Sequence, residues 1–144
     1  MREIKFRGKA KCGDWAYGNL VKIPNEILIV TSVPFAFKEK DPEHWKIMEY
    51  NGIKNSITVY CVLSKTVGEF TDLQDSEGVD VFEGDIIQNA DHLKEIYEVA
   101  MIDGAFRILA EGFKGEDLYW TLKHDNFKVI GNINDNPDLL EEGD

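Results

Sequence analysis

Residues Val67–Ile87 read VGEFTDLQDSEGVDVFEGDII, and the fold is most legible from this stretch. Two short apolar, strand-like runs flank a turn-rich, acidic middle. The stretch holds seven carboxylates and no Lys or Arg. Phe82-Glu83-Gly84-Asp85-Ile86-Ile87 then reads as a tight bend at Gly84 feeding a new strand that starts on two isoleucines.

Strand signals continue in both directions. Ile4–Arg7, Trp15–Ile23, Ile27–Val33, Ile57–Leu63, Ile86–Asn89, Ile96–Ile102, Phe106–Ala110 and Lys128–Ile133 are short, rich in β-branched or aromatic residues, and bounded by Gly, Asn, Asp or Pro. No window sustains the i, i+3, i+4, i+7 apolar pattern of a long amphipathic helix. Residues 38–50 (KEKDPEHWKIMEY) are the best internal candidate for a short helix or an irregular loop. Pro137 after Asn136 predicts a brief helix over Asp138–Glu142, because proline suits a first helical turn. The class expected is mainly β, with minor helix content.

One hairpin is predictable in register. Asp103-Gly104 is the residue pair a two-residue type I′ turn prefers. Such a turn pairs Ile102 with Ala105, Met101 with Phe106, Val99 with Ile108 and Tyr97 with Ala110, all the odd-numbered partners of the first strand sharing one face. Glu98 falls diagonal to Arg107 on the other face, a cross-strand charge pair. Asn51-Gly52 offers a second turn, and Gly112–Gly115 (GFKG) reads as a third, with no helix after it.

A chain of 144 residues, 43% hydrophobic and 11% aromatic, buries an ordinary core without a metal or disulfide staple. Its longest aliphatic run, Ile27–Val30, is far short of the ~18 residues that span a bilayer. MREIKFRGK lacks the apolar segment of a secretion signal, so the bacterial cytoplasm is the expected location. Cys12 and Cys61 lack CxxC spacing and are expected to be reduced thiols, Cys61 in the core.

Net charge is −11, unevenly placed. Residues 1–60 carry 10 basic and 7 acidic side chains; residues 61–144 carry 6 and 20. The composition break divides a β-rich N-terminal lobe, 1–65, from an acidic lobe, 66–144, joined without a Pro/Gly/Ser linker in one compact unit. Phosphate neutralisation drives general nucleic-acid affinity, so direct nucleic-acid binding is not expected. A basic protein partner, or the basic N-terminal segment (Arg2, Lys5, Arg7, Lys9, Lys11) of a second copy, suits the acidic half better.

Four motifs in order carry a family resemblance: MREIKFRGK, Asp14–Leu20 (DWAYGNL), Val67–Ile87, and Val129–Leu140 (VIGNINDNPDLL). Together they resemble the YopX family of small phage and prophage proteins, over about a third of the chain, with a variable stretch at 24–65. The resemblance implies a mostly β protein whose second half forms a small SH3-like barrel, and it brings no catalytic residues with it. Two departures stand out. Asp72 occupies a position where the family usually has glycine, and Ser76-Glu77-Gly78 replaces a Lys-rich turn.

Candidate chemistry is thin. Aligning Gly78 on the sixth position of an EF-hand loop puts Leu73 first and Gly84 twelfth, so both end ligands are missing and solvated turn carboxylates are the default. His44, His92 and His124 have no metal-site spacing, and the serines lack a nucleophile context. Trp15, Tyr17, Trp45, Tyr119 and Trp120 invite a stacking surface, but Glu116 and Asp117 stand where a nucleic-acid groove wants cations. Core packing is the expected role of these rings. The function expected is a non-catalytic binding or assembly module, without cofactor or membrane, and with self-association possible. The alternatives are an acidic nucleic-acid mimic aimed at a DNA-binding host protein, and an enzyme or metal protein using His92 or His124 with the 72–85 carboxylates.

Overall fold

The computed structural model describes residues 4–34, 44–50, 53–110 and 113–142, with side chains of 31–34, 44–59, 113–114 and 142 left aside. The chain is mainly β and antiparallel. Its contacts divide it into two units, Ile4–Glu69 and the chain from Phe70 on.

In the N-terminal unit, β1 (Phe6–Lys9), β2 (Trp15–Ile23), β3 (Glu26–Pro34), β4 (His44–Tyr50) and β5 (Ile53–Val62) form a sheet in the order β4-β5-β3-β2-β1. The start of β6 (Gly68–Gln74) pairs with β1, Arg7 opposite Gly68. Ala16, Ile29 and Val62 are its buried centre, packed by Phe6, Leu20, Ile27, Tyr60 and Val67. The residues expected as helix or loop over 38–50 are strand from His44 on, paired with β5 from Tyr50↔Ile53 to His44↔Val59; 38–43 and Asn51-Gly52 lie outside the described residues. An edge strand seeded with Lys and Glu carries little local β signal, and long-range pairing overrides it.

In the C-terminal unit, the rest of β6 pairs with β7 (Asp80–Phe82). A five-stranded sheet follows, built from β8 (Asp85–Asn89), β9 (His92–Ile102), β10 (Ala105–Ala110), β11 (Phe113–Asp117) and β12 (Phe127–Asn132) in the order β11-β10-β9-β8-β12. Val81, Ile87, Val99, Ile108, Leu118 and Phe127 make its core. The sheet is open, with β11 and β12 as edges, so the expected closure into a barrel is not found. The edge of β12 is instead covered by the acidic turn: Ser76 N–H donates to the Phe127 carbonyl (3.0 Å) and Val129 N–H to Asp75 Oδ2 (2.9 Å). Those two bonds occupy groups that would otherwise accept a new strand.

The Asp103-Gly104 hairpin has the expected register, from Ile102↔Ala105 through Val99↔Ile108 to Glu98↔Leu109. Both turn residues have positive φ, 51° and 81°, as a type I′ turn requires. The Glu98–Arg107 pair does not form. Arg107 instead donates to the Ile102 carbonyl (3.3 Å) on β9 and the Gly115 carbonyl (3.2 Å) on β11. Gly104→Val is expected to cost about 1–3 kcal/mol, because a β-branched residue resists that φ. Urea unfolding checks it, and a loss below a few tenths of a kcal/mol would contradict this turn geometry.

Asp72 sits at φ 64° inside a bulge of β6, which explains why the resembled family favours glycine there. Aspartate is among the few other residues that tolerate this region. Two helices complete the unit: α1 (Leu118–His124), which the sequence reading missed together with β11, and α2 (Asp138–Glu142), which matches its expected span. Residues 113–115 of the supposed GFKG turn lie in β11, and a helix follows that strand directly; Gly112 lies outside the described residues.

Candidate functional site

The seven carboxylates of Val67–Ile87 differ in burial: Asp75 and Asp85 are buried, Glu69, Asp80 and Glu83 half-buried, and Asp72 and Glu77 exposed. Asp75 is 8% exposed, and its Oδ1 accepts the N–H groups of Glu77 (2.8 Å) and Val79 (2.9 Å) while Oδ2 accepts that of Val129. Asp85 is 2% exposed and accepts the Phe82 N–H at 2.7 Å across the Gly84 bend. Gly84 itself has φ 93° and bonds to Val99 and Ile133 through its own N–H and carbonyl. These two acids organise turns; Asp72 and Glu77 are exposed. A split between buried and exposed carboxylates departs from the regular exposed row that phosphate mimicry calls for.

Neither histidine of the alternative enzyme or metal reading meets that cluster. His92 is exposed at the start of β9. His124 closes α1, its Nδ1 2.8 Å from the Trp120 carbonyl and its ring stacked on the indole at 4.2 Å. Among the described residues, no group of three His, Cys, Asp or Glu is placed to hold a metal ion. Cys12 is exposed and Cys61 only half-buried.

The aromatic residues change role. In β2 the core face carries Ala16, not Trp15 and Tyr17: Tyr17 is exposed, and Trp15 is half-buried with the Arg7 guanidinium 4.9 Å from its ring centre. Trp45 lies outside the described side chains. Tyr119 and Trp120, expected in the core, are 56% and 49% exposed.

The cause is α1. Asp117 caps the helix, its Oδ1 accepting the Trp120 N–H at 3.1 Å, and the Thr121 hydroxyl donates to the Asp117 carbonyl at 3.0 Å. Leu118, Thr121 and Leu122, at i, i+3 and i+4, face the core, with Leu118 and Thr121 fully buried. That phase puts Tyr119, Trp120, Lys123 and His124 outside. The i, i+4 pairs then order the outer face: Trp120 with His124, and Lys123 with Tyr119, whose hydroxyl accepts from Nζ at 3.2 Å. Asp117, a residue type that caps helices, was the one signal available in the sequence.

Three adjoining cavities run beside this helix. One of about 490 Å³ is lined by Arg107, Gly115, Glu116, Asp117, Tyr119 and Trp120. A second, of about 290 Å³, shares Asp117 and Tyr119 and reaches Asp72, Leu73 and Phe106. A third, of about 220 Å³, shares Glu116 and Trp120 and holds Glu95, Tyr97 and Asp125. The field there is negative: burial first, then Glu95, Glu116 and Asp125, raise the Tyr97 phenol above its ordinary value.

A separate carboxyl is also perturbed. Burial, and then the neighbouring Glu83, push the Glu98 carboxyl above its ordinary 4.5. A carboxyl with a raised folded pKa holds its proton more tightly when folded. Its contribution is therefore most favourable below the unfolded value and is lost as pH rises from there through the raised one. Glu98→Gln is expected to stabilise at neutral pH by less than about 1 kcal/mol, since the group is half exposed and screened. Urea midpoints should show a larger gain at pH 7 than at pH 4, and an equal gain at both would refute the assignment.

Comparison with known proteins gives a family and a fold. The YopX protein family matches residues 5–141. The crystal structure of protein EF1440 from Enterococcus faecalis is similar at a TM-score of 0.57 and 23% identity, covering 97% of this chain and 99% of that one. A likeness at that identity is one of fold. No curated protein matches the chain.

Proposed function

Because the chain belongs to the YopX protein family, we propose that it is a phage or prophage-type module that binds another protein, in the bacterial cytoplasm, through the outer face of α1. One observation carries the reading: Tyr119 and Trp120 stand about half exposed beside a cavity of about 490 Å³ on a helix whose other face is anchored in the core. Exposing two large rings forgoes their burial, and Trp, Tyr and Arg are the residues that most often dominate protein interfaces. Their positions are set by the Asp117 cap and by i, i+4 contacts, so little side-chain freedom remains to be lost on docking. The partner sought is either a second copy or a different chain. Light scattering of the purified protein separates those cases.

The test compares wild-type and Trp120→Ala proteins as baits in a host lysate. A protein held by the wild type is expected to bind the variant about thirtyfold more weakly, the size of a central interface residue. Matching amide spectra outside α1 would show that the fold is kept. Equal retention by the folded variant would end the assignment of this face.

A further inference from the structure

The three cavities along α1 together present five carboxylates, Asp72, Glu95, Glu116, Asp117 and Asp125, against the single guanidinium of Arg107. That guanidinium already donates to the carbonyls of Ile102 and Gly115. Trp120 lies where the acidic cavities join, with one ring face taken by His124. An aromatic ring bordered by carboxylates attracts a cation twice, through its quadrupole and through the charges beside it.

We infer that this groove receives a basic segment of the partner protein, with one arginine or lysine side chain laid against Trp120 between Glu116 and Asp117. The inference rests on the docking role of α1 proposed above and specifies its partner's chemistry. An acidic segment would bring like charges together, and a purely apolar one would strip water from five carboxylates without compensation. Arginine suits the place better than lysine, since its flat, weakly hydrated head stacks on a ring and still bonds a carboxylate. The unit that holds the groove is itself strongly acidic: from Phe70 on the chain has 5 basic and 19 acidic residues, a difference of −14. Long-range attraction therefore steers the same class of partner toward the groove.

The test uses a twelve-residue peptide with four arginines among serine and glycine, and a control with glutamate in their place, titrated by calorimetry and by amide NMR. The arginine peptide is expected to saturate, with shifts gathered in residues 115–125, and to weaken about tenfold between low and moderate salt. Glu116→Gln with Asp125→Asn should weaken it about fivefold, and Trp120→Ala about tenfold. The glutamate peptide should not bind. Absence of saturable binding, binding unchanged in these variants, or shifts spread over the exposed carboxylates of 72–85 would each overturn the inference. If Trp120-dependent capture from lysate persists while the arginine peptide fails, the cationic partner falls and the docking face stands. If capture does not depend on Trp120, the docking face itself falls.

Discussion

Asp75→Ala is expected to destabilise the C-terminal unit by about 4 kcal/mol. One carboxylate accepts three backbone N–H groups, from Glu77, Val79 and Val129. Hydrogen bonds to a charged acceptor contribute roughly 1.5–3 kcal/mol each, and alanine leaves the donors without a partner as well. The three are not additive, because the turn at 75–79 relaxes as one piece. Asp75→Asn should cost about half as much, since its amide keeps one oxygen but turns an N–H toward a donor. The loss should come with a second symptom. Once the turn lifts, the edge of β12 is uncovered, and aggregation at high concentration should rise. Urea unfolding with light scattering checks both, and a change below about 1 kcal/mol would show that the bonds seen here are not what holds the turn.

Gly115→Ala is expected to cost about 3 kcal/mol and to disable the groove at the same time. A Cβ on Gly115 would lie 2.7 Å from the Ile108 carbonyl oxygen and 2.8 Å from Arg107 Cβ, and neither is the free end of a flexible side chain. The clash falls at the irregularity where β11 passes β10 between the Arg107↔Asp117 and Leu109↔Lys114 pairs. Relief requires β11 to move away, which withdraws the Gly115 carbonyl from Arg107 and shifts the Asp117 cap of α1. Amide shifts along α1 and loss of captured partner should therefore accompany the lower denaturation midpoint. Gly13→Ala is a useful reference for a glycine substitution without steric contact, because nothing lies within 4 Å of its Cβ and only its φ of 98° resists the change. If Gly115→Ala costs no more than Gly13→Ala and α1 keeps its spectrum, the close approach does not govern the site.

Much of the β framework was legible because its signals are local. Asp103-Gly104 dictates a turn type, the turn type dictates the register, and alternation then assigns Val99 and Ile108 to the core. Asn136-Pro137 marks the start of α2 in the same way. The bend at Gly84 and the buried pair Ile86 and Ile87 also follow from residue type alone.

The candidate site was not legible on the same terms. Tyr119 and Trp120 look like core residues by composition, and only the phase of α1 turns them outward, a phase set by where Leu118, Thr121 and Leu122 find the core. A helix of seven residues is too short to announce its period, and its cap bond is visible only once β11 delivers Asp117 to it. The acidic stretch at 67–87 shows the converse. Its sequence announces many carboxylates and a turn, but whether a carboxylate is solvated or buried depends on which backbone donors the distant strand β12 brings to it. Local chemistry by itself determined the mainly β class, the hairpin register and the C-terminal helix. The open sheet, the covered edge of β12 and the outward aromatic pair were decided by tertiary structure, because each depends on a contact between segments that the chain order does not bring together.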